Sequence, residues 1–307
     1  MGVTTTTFGP LPPFAPLREA RQKHADYEIE DAELHAAEQA DSRAAFERVV
    51  SAGVGAVTIG SSAPEWLCRW AVPVTSGVEA TGPVRPWAGR WQERALIQAA
   101  PEADGSWLGS FRAQAAAAGA GVLRAILPGA HYWMDVSFDE HHQSRAACCE
   151  ALAGRIAAEV AALAAEGVKA FQLDELALGH RPGEHGLARA ALDTVAAAAG
   201  GGELWLGVGA LDGAVLSAVK DWPVTGVAVD VSQPGLDLAP LGGLGDLRIL
   251  AGVGGEHGDA DSIAERVARL REQIGDERLI LSTGAGFEYL ESDEAGKRLE
   301  RLIQAAG

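Results

Sequence analysis

The sequence predicts an α/β fold: a single (β/α)8 TIM barrel spanning residues 1–307, with a long irregular excursion after the second strand. Two observations carry this. Eight short, mostly continuous apolar runs alternate with helical stretches, and strands apolar on both faces belong to a parallel sheet covered on both sides. No Gly-rich dinucleotide fingerprint follows the early runs, and Gly252-Val253-Gly254-Gly255 arrives late with no acidic partner at the right distance. That removes the open dinucleotide-binding sheet, and eight units in 307 residues suit a closed barrel.

The elements follow in order. Val3 to Phe8, rich in β-branched Thr, reads as the first strand and is ended by Gly9-Pro10-Leu11-Pro12-Pro13. Asp31 to Ala52 has helical spacing with a mixed-charge outer face, and Gly55 to Ile59 is the second strand. Thr75 to Gly105, rich in Gly, Pro and Trp, reads as a long loop or hairpin over one face. Strands are expected at Gly121–Ile126, Val168–Asp174, Leu204–Val208, Gly226–Asp230, Leu247–Ala251 and Leu279–Ser282. An Ala-rich helix from about Glu140 to Glu166 and helices at 185–199, 211–220, 259–274 and 292–305 fit between them.

Composition bounds the partners. A net charge of −17 with no basic cluster argues against nucleic acid, which attracts proteins through its phosphates. Three cysteines, two of them adjacent, form no disulfide framework and point to a reducing interior. The first residues carry neither a basic nor an apolar leader region, and no apolar run reaches the roughly 20 residues of a membrane span. A cytoplasmic protein acting on a small molecule, away from membranes, is the expectation.

A barrel gathers its chemistry at the C-terminal ends of its strands. Read in order, those ends supply Gly60-Ser61, then Leu127-Pro128-Gly129 with His131, Tyr132 and Trp133, then Asp174-Glu175, Asp230 and Glu256-His257. Asp174 ends an apolar run abruptly, which suits a site acid and suits a helix cap equally. Asp230 can serve the site or cap Val231-Ser232-Gln233, and His257 suits proton transfer or sits as a solvated loop residue. Trp133 and Tyr132 offer flat surfaces, or simply cover the barrel mouth. His141 and His142 read as exposed residues at a helix start.

On these residues the chain resembles the C-terminal catalytic barrel of cobalamin-independent methionine synthase, within the barrel group that also holds uroporphyrinogen decarboxylase. Phe171-Gln172-Leu173-Asp174-Glu175-Leu176-Ala177-Leu178 is similar to the family's Ile-Gln-Ile-Asp-Glu-Pro-Ala-Leu. Thr5-Thr6-Thr7-Phe8-Gly9-Pro10 resembles its opening Thr-Thr-Ile-Gly-Ser-Phe-Pro, and His257 falls on its histidine after strand seven. The family's zinc is held by a His-x-Cys pair, a Glu and a late Cys. Gly207, Gly209, Asp230 and Ala285 stand there instead, so no zinc is expected, because the ion wants about four N, S or O ligands. The resemblance implies Asp174, Asp230 and His257 as catalytic groups, with Glu175, Ser61, Trp133, Tyr132 and His131 binding substrate. Trp133 would be the pterin-stacking aromatic.

Without zinc to make a thiolate, a thiol is a poor acceptor. The implied activity is then a zinc-independent methyl transfer from a 5-methyltetrahydrofolate-type donor to a small, amino-acid-like, non-thiol acceptor. A lyase or decarboxylase on the same barrel without folate, and a non-catalytic binding relative, are the alternatives. Single-barrel relatives pair, so a homodimer is an open expectation, although no patch for it stands out in the sequence.

Overall fold

A computed structural model describes residues 3–8, 11–59, 71–72, 74–86, 92–103, 122–285 and 287–307. Its core is a curled parallel sheet within a mixed α/β fold. The strands are β1 (Thr4–Thr6), β2 (Ala56–Ile59), β5 (Val122–Pro128), β7 (Ala170–Asp174), β8 (Glu203–Ala210), β9 (Gly226–Asp230), β10 (Arg248–Gly252) and β11 (Leu279–Ser282). From β2 the order runs β5, β7, β8, β9, β10, β11 and β1. Every neighbouring pair is parallel, and β1 meets β2 through the single pair Thr6 and Ala56. These spans lie within two residues of the expected ones, because all but the Thr-rich β1 are short, mainly apolar runs flanked by Gly or polar residues.

Alternation along the strands sorts their side chains. Phe171, Leu173, Leu204, Leu206, Val227, Val229, Ile249, Ala251 and Leu281 join the large core under the helices. Phe8, Trp205, Ala228, Leu250 and Ile280 form a separate cluster inside the curl. Gln172 and Asp174 alternate with Phe171 and Leu173, so they share the inner face of β7.

The helices are α1 (Ala15–Ala25), α2 (Asp31–Ser51), α3 (Ala130–Val136), α4 (Arg145–Ala165), α5 (His185–Ala198), α6 (Gly213–Val219), α7 (Ala239–Gly242), α8 (Ile263–Ile274) and α9 (Ser292–Ala306). A reciprocal cap between Glu30 and Glu33 starts α2. The long Ala-rich helix begins at Arg145, later than about Glu140, because Ser137–Asp139 is an edge strand and Ser144 caps the helix through Ala147 N. Three helices, α1, α3 and the single turn α7, were not anticipated. The first is largely polar, and the other two are too short to show a period.

A second sheet lies beside the first. β3 (Thr75–Val84) pairs antiparallel with β4 (Gln92–Ala103), and β6 (Ser137–Asp139) joins β4 in parallel. Arg155 of α4 reaches it, donating to Thr75 Oγ1 at 3.1 Å and to Val74 O at 3.2 Å, while pairing with Glu159 at 2.8 Å. Among the described residues, no helix is long and apolar enough to cross a membrane.

Candidate active site

Asp174 and Glu175 end the same strand and part company there. The Asp174 side chain turns inward and is only 3 % exposed. Its Oδ1 accepts from Gln172 Nε2 at 2.6 Å, while Oδ2 has no hydrogen-bond partner among the described residues. Burial pushes this carboxyl up to about 7, against the pull of the Gln172 hydrogen bond and the Arg124 charge. Directly across the sheet stands Gly207. A Cβ at that position would overlap the Asp174 carboxylate oxygen, so the acid occupies the space of a missing side chain.

Arg124 was not foreseen as a site residue. It is buried, and its Nη2 donates to Thr7 O at 2.7 Å and to Thr58 Oγ1 at 3.2 Å. Its Nε and Nη1 are buried without hydrogen-bond partners among the described residues, as is Gln172 Oε1. Burial lowers the guanidinium to about 10, which leaves it charged at neutral pH, and the Asp174 charge acts the other way. The available signal was a lone Arg inside the apolar run Val122-Leu123-Arg124-Ala125-Ile126. A charge buried in a strand needs a partner. Among the described residues, the inner face thus presents unpartnered donors on Arg124 and unpartnered acceptors on Gln172 and Asp174.

Glu175, expected to bind substrate, points toward α3. Both of its oxygens are taken by the start of α3: Oε1 accepts from His131 N at 3.1 Å and Oε2 from Tyr132 N at 2.7 Å. Its own amide donates to Gly207 O at 2.7 Å. A Cβ on Gly129 would overlap its side chain, which explains the glycine before α3. Burial pushes the Glu175 carboxyl up to about 8, although those two N–H groups favour the charged form.

The residues on α3 also differ from expectation. Trp133 is 1 % exposed and Tyr132 is buried with it in the large core, so neither offers a face for a ligand to stack on from solvent. Helix packing claims them. His131 is buried, and its Nε2 lies 2.9 Å from Glu184 Oε2. Burial lowers its imidazole pKa, opposed by Glu184. Glu184 also accepts from Arg145 at 2.8 and 2.6 Å, which with His131 holds its carboxyl down to about 2 despite burial. Asp135 joins this rim through Arg145 and Arg181, each at 2.8 Å. The network ties the segment after β7 to α3 and α4.

Asp230 is a loop organiser as well as a strand-end acid. Its Oδ1 accepts from Ser232 N and Ser232 Oγ, both at 2.7 Å, and its Oδ2 accepts from Ala285 N. Burial raises its carboxyl pKa; the Ser232 and Ala285 contacts and the nearby His257 oppose that rise. Ser232→Ala is expected to cost about 0.5–1.5 kcal/mol, the usual worth of one such hydrogen bond, read from urea unfolding. His257 stands at the rim, 67 % exposed, with Nε2 3.6 Å from Glu256 Oε1. Ser61 lies outside the described residues.

Zinc does not fit these strand ends. Gly207 and Gly209 carry no side-chain ligand atoms and Ala285 offers only its amide, so of the four implied positions Asp230 alone has a ligand side chain, too few for an ion that wants about four. The carboxylate and amide that bridge β9 to the loop after β11 close the space between two of the implied ligand positions.

A curled parallel sheet with acids at its C-terminal ends defines a barrel-type α/β protein, and known structures narrow the fold. The chain shares the fold of B12-independent methionine synthases. It superposes on the enzyme from Shewanella sp. W3-18-1, solved in complex with selenomethionine, with a TM-score of 0.84 at 14% identity, covering 100% of this chain and 97% of that one. The putative vitamin-B12 independent methionine synthase from Listeria monocytogenes gives 0.77 at 17%, covering 99% and 98%. A methyltransferase from Methanosarcina mazei gives 0.69 at 9%, covering 99% and 93%. No protein-family model and no curated protein sequence matches the chain.

Proposed function

We propose that the chain is a methyltransferase on a complete (β/α)8 barrel formed by residues 1–307. It moves a methyl group from a 5-methyltetrahydrofolate-type donor to a small, amino-acid-like, non-thiol acceptor without zinc. The observation that carries this is the buried, half-free Asp174 carboxylate at a strand end of a fold shared throughout with methionine synthases. Arg124 supports the acceptor class: its two free donors match a carboxylate, while Asp174 Oδ2 and Gln172 Oε1 match an amine. The selenomethionine bound by the Shewanella protein is a ligand of that chemistry.

In the proposed step, the acceptor's lone pair takes the methyl group and the donor nitrogen keeps the electrons of the broken C–N bond. Asp174 takes the acceptor's proton, and a carboxyl near 7 is well matched to that role at neutral pH. The donor nitrogen gains a proton delivered from the rim by His257, with Glu256 beside it. Asp230 holds the loops in place, and positioning supplies much of the rate.

The test uses donor labelled on its methyl group, incubated with the full chain and a panel of amino acids and amines. Labelled product with release of tetrahydrofolate supports the reading. If donor neither quenches tryptophan fluorescence nor transfers label, the folate reading fails. A lyase or decarboxylase is the second reading, favoured by the buried Arg124 beside Asp174, which suits an anionic substrate. Substrate loss with release of carbon dioxide, and no donor required, would select it. A chain that binds the panel without turnover would be the non-catalytic relative. His257→Gln is expected to lower turnover by about 10²-fold, the low end for a positioned general acid because water can reach the same rim position; the measurement is the turnover–pH profile.

A further inference from the structure

The strand-end site leaves unused a second group of reactive side chains, where β6 gives way to α4. Asp139 ends β6, His142 lies in the following turn, and Cys148 is in the first turns of α4. One ligand atom from each falls within 4.8 Å of the others. The geometry points to a binding site for a zinc-type divalent cation held by Asp139, His142 and Cys148.

The donor set selects the ion. One thiolate, one imidazole and one carboxylate form a borderline-soft set that favours zinc or cobalt over magnesium or calcium. Tetrahedral coordination at about 2.0–2.3 Å places ligand atoms roughly 3.3–3.8 Å apart. The cluster approaches this spacing, with Asp139 Oδ1 and His142 Nδ1 3.0 Å apart. The turn is already organised: Asp139 Oδ1 accepts from the amides of His141 and His142, each at 3.1 Å. His142 and Asp139 are 11% and 19% exposed, while Cys148 is fully buried, so an ion can enter from one side and be enclosed on the other.

Charge also fits. A cysteine thiol ordinarily keeps its proton at neutral pH, and Cys148 is a free, buried cysteine. Binding exchanges that proton for the cation: the S–H bond breaks, a sulfur–metal bond forms, and the proton leaves to solvent. The resulting thiolate and carboxylate balance the two positive charges, which removes the main cost of burying them. Three protein ligands leave a fourth position for water. The ion would fasten the small sheet to α4, apart from the strand-end chemistry.

The test is cobalt(II) titration of the full chain after chelator treatment, followed by absorption spectroscopy. One equivalent should bind with a thiolate-to-cobalt charge-transfer band in the near ultraviolet. Cys148→Ser should abolish that band, and His142→Gln should weaken binding by roughly tenfold or more. Cys149→Ser and Asp230→Asn should leave the band in place. Should Cys148→Ser fail to fold, the partly exposed His142→Gln variant carries the test: zinc should raise the melting temperature of the natural chain and not of this variant. Uptake without a thiolate band, a band that survives Cys148→Ser, or zinc stabilisation undiminished in His142→Gln would overturn the site. Loss of the band in Asp230→Asn would overturn it too, by placing the ion at the strand ends.

Discussion

Asp174→Asn is expected to lower turnover of the proposed methyl transfer by roughly 10²–10⁴-fold, the contribution of a positioned acid or base, and at the same time to stabilise the protein at pH 8. The two effects share one cause. The amide keeps an acceptor for Gln172 Nε2 but can neither take a proton nor carry charge. The sign of the stability effect follows from linkage. The carboxyl sits near 7 in the folded chain and near 3.8 ordinarily, so the folded state holds the proton more tightly. Its penalty is absent below the ordinary value, grows as pH rises between the two values, and is complete above about 7. The gain from Asp174→Asn is therefore expected to grow across that window and level off above it. Its size is on the order of a few kcal/mol, at 1.36 kcal/mol per pKa unit. Urea unfolding of both proteins at pH 4, 6 and 8 measures it. A constant difference across that range would remove Asp174 from the role of buried acid.

Gly207→Ala is expected to lose nearly as much turnover while destabilising the fold. The new methyl group would occupy the space of Asp174 Oδ1 and lie 3.2 Å from Gln172 Nε2, so the carboxylate must swing aside or the strand must shift. Overpacking of this kind costs about 1–3 kcal/mol, and a misplaced catalytic group can cost about 10²-fold in rate. Gly154→Ala is the control. It adds the same methyl group within α4 where nothing lies within 4 Å, and should stabilise by about 0.5–1 kcal/mol through lower backbone entropy in the unfolded chain. Thermal melts and turnover on the two variants separate crowding at Asp174 from any general effect of losing a glycine. Equal turnover in both would show that the glycine does not make room for the acid.

Legibility varied with the kind of signal. The strands were readable because Phe171-Gln172-Leu173 or Val227-Ala228-Val229 cannot be satisfied on an exposed surface, whatever the remainder of the chain does. Asp174 was readable as a site candidate because it ends such a run. Its partner Glu175 looked equivalent, yet it turns the other way to accept from the amides of His131 and Tyr132. That divergence depends on Gly129 and Gly207, each clearing space for one carboxylate. Trp133 illustrates the converse: the sequence shows an aromatic after a strand end, and only helix packing decides that it is buried.

The sequence by itself determined the alternation of apolar strands with helices and the acids at the strand ends, since these follow from period and position; which residues stand at a related family's zinc-ligand positions came only from the resemblance. Tertiary structure alone decided that, among the described residues, Asp174 Oδ2 and two Arg124 donors have no partner, and that Asp139, His142 and Cys148 converge. Burial, clearance and hydrogen bonding are properties of neighbours brought together by folding, whether those neighbours are distant in the chain, as Thr7 and Thr58 are from Arg124, or close, as Gln172 is to Asp174.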